Sequence, residues 1–213
     1  MKKGILFPLY TIVITFLFTG CFLQSVHPLV KPENSQLVEG VIGTWEDEDQ
    51  RWIFARPENV PESLNQIDGF EDISEEIDDE DKEEMEYGYF VVHENKEDET
   101  ISVFIGHFIE LNEKLYFDLF PMDTWGSGLL DNHYFPVHTF SKIEFQNNVM
   151  NIRLFKSSWI NEQIEDNRVR IKHEKTEEGV LITASTKELQ RFVERYGETS
   201  EAFEDPISLQ KTD

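Results

Sequence analysis

From position 41 onward, apolar and polar residues alternate in short runs broken by turn-forming residues, the period-two pattern of half-buried strands. The runs fall at 41–46, 51–56, 87–93, 100–111, 114–120, 133–146, 149–155, 168–173 and 180–183. Val169 and Ile171 oppose Arg168, Arg170 and Lys172, and Met150, Ile152 and Leu154 oppose Asn151 and Arg153, so these runs have one wet face. Residues 101–109 and 115–120 are apolar on both faces, a pattern that needs a core on one side and a covering element on the other.

The connections predict antiparallel neighbours. Asn147-Asn148 is a two-residue loop of residues that tolerate positive φ, as a type I′ hairpin requires, and Asn112-Glu113 and 176–179 separate two further pairs. Parallel pairing needs crossover connections of about a dozen residues, and the chain has few. The expected fold class is mainly β: an antiparallel up-and-down barrel or strongly curved sheet of about eight or nine strands with a C-terminal amphipathic helix.

That helix is predicted over 186–197. Ser185 and Glu188 form a capping box, Leu189, Phe192, Val193 and Tyr196 follow a helical stripe, and Gly197 stops it. A shorter helical turn is expected around Trp159, Ile160 and Ile164. Ala202 and Phe203 are expected to dock the tail, with order ending at Pro206.

The N-terminus follows a different pattern. Lys2 and Lys3 precede an apolar run over 5–18 interrupted by Pro8, Thr11 and Thr15, which is signal-peptide anatomy for residues 1–20. The apolar stretch after Pro8 is about half the roughly 20 residues that cross a bilayer. The run ends in Phe18-Thr19-Gly20-Cys21, and Cys21 is the sole cysteine. This segment resembles the lipobox of bacterial lipoproteins. The resemblance implies cleavage between Gly20 and Cys21, acylation of Cys21 with palmitate-class chains, and a membrane-anchored place in the bacterial cell envelope. Phe22 supplies no inner-membrane retention signal, which implies the outer membrane in a Gram-negative cell. Each buried CH₂ contributes about 0.8 kcal/mol, so two or more chains anchor stably. Residues 21–40, with Pro28 and Pro32, are expected to form a tether, followed by one domain over 41–213.

Gly43-Thr44-Trp45, the meander of short strands and the late amphipathic helix look like the lipocalin and calycin pattern. Asp131-Asn132-His133-Tyr134 echoes the family's second signature. The resemblance implies that Trp45 is a core plug and that the barrel mouth holds an apolar small molecule. Phe117-Asp118-Leu119-Phe120-Pro121, Pro136-Val137-His138-Thr139-Phe140 and Leu181-Ile182-Thr183-Ala184-Ser185-Thr186 resemble a group of uncharacterised bacterial lipocalin-like lipoproteins, which implies a fold and no activity.

Charge narrows the partners. The 213 residues carry a net charge of −24, from 43 acidic and 19 basic side chains. Nucleic acid is not an expected partner, because phosphate contacts need clustered Lys and Arg. Anionic headgroups are expected to repel the domain and leave the anchor to work alone. An acidic insertion at about 58–86 has its densest block at 68–86, where Lys82 is the only base. Phe70, Ile73 and Ile77 recur there at helical spacing, but the block lacks the spacing of a calcium loop. It is expected to be a solvated insertion, able to recruit a basic protein partner.

His107 falls in register with Ile101, Val103, Ile105 and Ile109, His138 alternates with Tyr134 and Phe140, and Asp118 stands between Tyr116 and Phe120. Three polar groups on apolar faces compose either a metal or acid/base site or a buried cluster whose members satisfy one another. No nucleophile elbow, phosphate-cradling loop or dinucleotide fingerprint is present, and no cofactor is expected. Ser127, in Trp125-Gly126-Ser127-Gly128, reads as a loop tip. The expected role is a non-enzymatic envelope lipoprotein that binds an apolar ligand or serves as a scaffold. The alternative is a metal-dependent or acid/base hydrolase using His107, Asp118 and His138.

Overall fold

Eight strands close on one another in the computed structural model, which describes residues 22–57, 86–122, 135–177 and 179–212. The leader with Cys21, the insertion at 58–85, the Trp125–Gly128 tip and the Asp131–Tyr134 turn lie outside the described residues. The strands are β1 (Gln24–Ser25), β2 (Gly43–Glu46), β3 (Gln50–Ala55), β4 (Tyr89–Asn95), β5 (Thr100–Leu111), β6 (Lys114–Pro121), β7 (His138–Gln146) and β8 (Val149–Leu154). Helix α1 (Ser157–Glu165), β9 (His173–Thr176), β10 (Gly179–Ile182), helix α2 (Thr186–Tyr196) and β11 (Ile207–Lys211) follow.

Strands β2 to β8 run as an antiparallel meander, and β11 pairs with both β8 and β2 to close an eight-stranded barrel. The tail expected to lose order at Pro206 therefore supplies the closing strand. Ile207-Ser208-Leu209-Gln210 alternates like the other runs, but Pro206 just before it reads as a stop, and Leu209 is fully buried in the barrel interior. The segment expected as a tether is also part of the fold. Leu23, Leu29 and Val30 are buried, and β1 adds to the edge of β7 beyond the end of β8. Burying each of these side chains contributes about 1.5–3 kcal/mol, which ties the strand down. β1 also pairs in parallel with β10, the one departure from the antiparallel expectation among the described strands.

Hairpin chemistry differs in detail from expectation. Asn112 and Glu113 both have positive φ (50° and 61°), the type I′ pattern, whereas at Asn147-Asn148 only Asn147 does (55°). Residues 168–172 are not a strand. The end of α1 explains this: Asn167 turns left-handed (φ 57°), and the N–H groups of Arg168 and Val169 both donate to the Gln163 carbonyl. The ladder starts only at His173.

Parity along the strands separates two buried regions. Trp45, Trp52, Phe54, Tyr89, Val91, Phe108, Phe117, Ile143, Met150 and Leu209 fill the barrel interior. Phe108 and Phe117 stack at 4.4 Å, and Trp45 is buried in the same interior, its Nε1 donating to the Val41 carbonyl at 2.7 Å. Lys211 stands 5.2 Å above the Trp45 ring. On the outer face, Tyr116 of β6 and Phe140 of β7 pack beneath Leu189, Phe192 and Val193 of α2, with Leu23, Phe155, Ile182 and Phe203. The helix thus covers part of the two-sided apolar stretch, from Ile109 of β5 to Tyr116 and Phe140, but not its start at Ile101 to Ile105. Ile53, Ala55, Phe90, Val92, Val103 and Ile105 form a third cluster on the outer face of β3, β4 and β5.

Helix α2 is clamped at both ends. The Ser185 N–H and hydroxyl donate to the Glu188 carboxylate at 3.0 and 2.7 Å, and these bonds hold that carboxyl below its ordinary range. At the other end, Asn112 Nδ2 donates to the Glu194 carbonyl at 2.9 Å and Lys142 Nζ to the Gly197 carbonyl at 3.4 Å. Gln190 Nε2 donates to the Leu29 carbonyl at 3.0 Å, joining the helix to the N-terminal segment.

Candidate functional site

The three polar residues singled out by the strand pattern meet on the outer face of β5, β6 and β7. His107 and Asp118 are direct partners across the β5–β6 pair, and Phe140, two residues after His138, lies opposite Asp118 on β7. The His138 Nδ1–H donates to Asp118 Oδ1 at 3.0 Å, and the Val30 N–H donates to Asp118 Oδ2, also at 3.0 Å. Both carboxylate oxygens are thus engaged, one by a residue 88 positions away.

Burial is deep: His107 is 6% exposed, Asp118 2% and His138 15%. Desolvation pushes the His107 imidazole below its ordinary value of 6.5, although the Asp118 charge and a backbone hydrogen bond at Tyr87 act in the opposite direction. Its Nδ1 has no hydrogen-bond partner among the described residues. The Phe120 ring lies 4.5 Å from the His138 ring and walls that side. Chemically, a buried carboxylate that orients an imidazole is the arrangement that sets a histidine's tautomer, and here it also ties the N-terminal segment to the barrel. Among the described residues, no group of three His, Cys, Asp or Glu side chains is arranged to hold a metal ion.

The barrel interior offers little room at its centre. A Cβ added at Gly106 would overlap the Phe117 ring and come within 2.9 Å of a Val91 methyl. One end is crossed by the chain before β2, where the Gln36 N–H donates to the Phe108 carbonyl, the Val38 N–H donates to the Tyr89 hydroxyl and Val41 is fully buried. Toward the other end, Trp52 Nε1 donates to Gln50 Oε1 at 2.8 Å, and His93 Nε2 lies 3.2 Å from the same oxygen. Desolvation lowers the His93 imidazole as well. An eight-stranded barrel is just wide enough for side chains to fill, and these aromatic rings occupy that width.

A groove of about 940 Å³ lies outside the barrel, between α2, the end of α1 and the extended residues 168–173. Sequence reasoning identified the arginines of 168–172 as a wet strand face but missed the groove, because their partners on α2 lie some twenty residues later. The signal was the charge itself: Arg191 and Arg195, four apart, share one side of α2.

No described helix is long and apolar enough to cross a membrane. Set against family models, curated proteins and solved structures, the chain matches none.

Proposed function

We propose that this chain is a lipid-anchored lipoprotein of the bacterial envelope whose lipocalin-like barrel acts as a rigid scaffold and whose non-enzymatic binding surface is the outer helical layer. The carrying observation is the sole cysteine, which closes the lipobox-like Phe18-Thr19-Gly20-Cys21 segment and directly precedes exposed Phe22 and buried Leu23. Phe22 bridges Lys156 and Leu23 belongs to the helical layer, so an acyl chain on Cys21 would bring that layer against the bilayer without a spacer. The close-packed barrel centre supports placing the ligand outside the barrel rather than in its mouth.

Mass spectrometry of the protein recovered from membranes tests the anchor. The expected product starts at a diacylated or triacylated Cys21 and leaves the membrane fraction in the Cys21→Ser variant. An unmodified Cys21 on a freely diffusing product would overturn the placement.

A second reading, a metal-dependent or acid/base hydrolase, draws on His107 Nδ1, without a hydrogen-bond partner among the described residues, beside the Asp118–His138 pair. Titration with zinc decides its metal form. Stoichiometric binding that disappears in His107→Gln supports it, and no saturable binding sinks it.

A further inference from the structure

The groove beside α2 gathers cations that the rest of this acidic chain would readily neutralise. Arg168, Arg170 and Lys172 approach from the extended segment and Arg191 and Arg195 from the helix, five of the 19 basic residues in the chain. Among the described residues Glu188 is the single carboxylate lining it; it accepts two bonds from Ser185 and is close enough to feel the charges of Lys172 and Arg191. Arg168 pairs with Asp166 at 3.1 Å, while Arg170, Lys172 and Arg191 make no ion pair among the described residues. Like charges at i, i+4 on a helix, as at Arg191 and Arg195, destabilise by a few tenths of a kcal/mol per pair.

The floor between these cations is apolar. Val169 and Phe192 are buried at its base, with Ile164, Ile171 and Tyr196 partly covered beside them. Trp159 packs edge-on against Tyr196 at 5.4 Å and stiffens that wall. Guanidinium groups bind phosphate oxygens in a bidentate fork, and a volume of about 940 Å³ is at the upper end of the size of small-molecule sites. Leu23, two residues after Cys21, belongs to the same apolar cluster as Val169 and Phe192.

We infer that this groove binds an anionic phospholipid, its phosphate held by Arg170, Lys172 and Arg191 and the start of its acyl chains laid along Val169, Ile171 and Phe192. The site is a local reversal of the molecule's overall charge. It deepens the proposed envelope role, because an anchored layer facing a bilayer meets this ligand at high local concentration.

Calorimetric titration of the full chain bearing Cys21→Ser, so that no acyl group competes, tests the inference with dihexanoyl phosphatidic acid kept below its micelle concentration. Binding is expected to be at least about tenfold tighter than for dihexanoyl phosphatidylcholine, to weaken with salt, and to drop about tenfold or more in Arg170→Glu/Arg191→Glu. Both positions are exposed, so an unchanged circular dichroism spectrum is expected for that variant. Equal binding of the two lipids, no effect of charge reversal, or no binding of either lipid would each overturn the assignment. Inorganic phosphate binding as tightly as phosphatidic acid would also overturn it, leaving a phosphate site without a lipid role. The soluble probes make this result independent of the mass of Cys21, so failure of the anchor and failure of the groove are read separately.

Discussion

Strands β5, β6 and β7 have two buried faces, and the two are built on different principles. The barrel side is aromatic and shape-determined: Phe108 and Phe117 stack, Phe54 lies tilted against both, and polar ties are few, among them Trp45 to Val41 and Val38 to Tyr89. The helical side mixes apolar burial with long-range polar ties, among them Asp118 to Val30 and His138, Lys142 to Gly197 and Gln190 to Leu29. One face of the same strands is filled by aromatic rings, and the other carries the Asp118–His138 pair and its ties to the N-terminal segment. The comparison teaches where to look for function in a filled barrel: on the side that tolerates polarity.

The contrast between the two faces is expected to be largest at Phe117. Phe117→Ala removes a fully buried ring from the interior and is expected to lower unfolding free energy by about 3–5 kcal/mol in urea titration. A loss below about 1 kcal/mol would mean that the interior is not the rigid half. On the helical side, Asp118→Ala strands the Val30 N–H and the His138 Nδ1–H, and a loss of about 1–3 kcal/mol is expected. Hydrogen exchange should then rise at Val30 and in α2 while the barrel strands stay protected. Uniform loss of protection would show that the two faces are a single cooperative unit.

Gly197 offers a finer probe of the seam between helix and barrel. Its φ of −65° is ordinary, so the glycine is needed for space rather than for a left-handed turn. An added Cβ would collide with the Tyr116 hydroxyl and approach the Val193 carbonyl to 2.7 Å. Gly197→Ala is expected to cost about 1–3 kcal/mol, and Tyr116→Phe should recover part of that cost in a double-mutant cycle. Burial also pushes the Tyr116 phenol up to about 12, so its ionisation in alkaline difference spectra reports the same seam.

The smallest effect is a pH dependence shared between the faces. His93 toward one end of the interior and His107 on the outer face are both held below 6.5 by desolvation. The unfolded chain therefore binds more protons than the native one in weak acid. The stability contributed by each neutral ring is fully present above 6.5 and is lost as pH falls from there through its lower native value. Urea midpoints should decline over that range, and His93→Gln and His107→Gln should each flatten part of the slope. An unchanged slope in His107→Gln would place the whole effect in the barrel.

Much of the architecture was written into local pattern. The alternation of Met150, Ile152 and Leu154 against Asn151 and Arg153, the Ser185–Glu188 cap and the stripe from Leu189 to Tyr196 each arise from neighbours within one element. Strand period and helix period are set by those neighbours, so they survive in the sequence. The same alternation put His107, Asp118 and His138 on apolar faces, which is why the candidate cluster could be named before its geometry was known.

Closure and convergence were decided elsewhere. Ile207–Lys211 becomes a strand because β2 and β8 leave an edge between them, and residues 22–30 pack because β7 and α2 present a face to cover. Residues 22–30 have no regular alternation, and the alternation of Ile207-Ser208-Leu209-Gln210 follows Pro206, which reads as a stop. The cationic groove joins the turn after α1 to a helix that begins some twenty residues later, and the Asp118 carboxylate finds Val30 across 88 positions. Composition alone, at −24, points away from any anion site. Chain entropy makes such distant contacts expensive to form singly, so they exist only once the barrel and its helical cover have formed together.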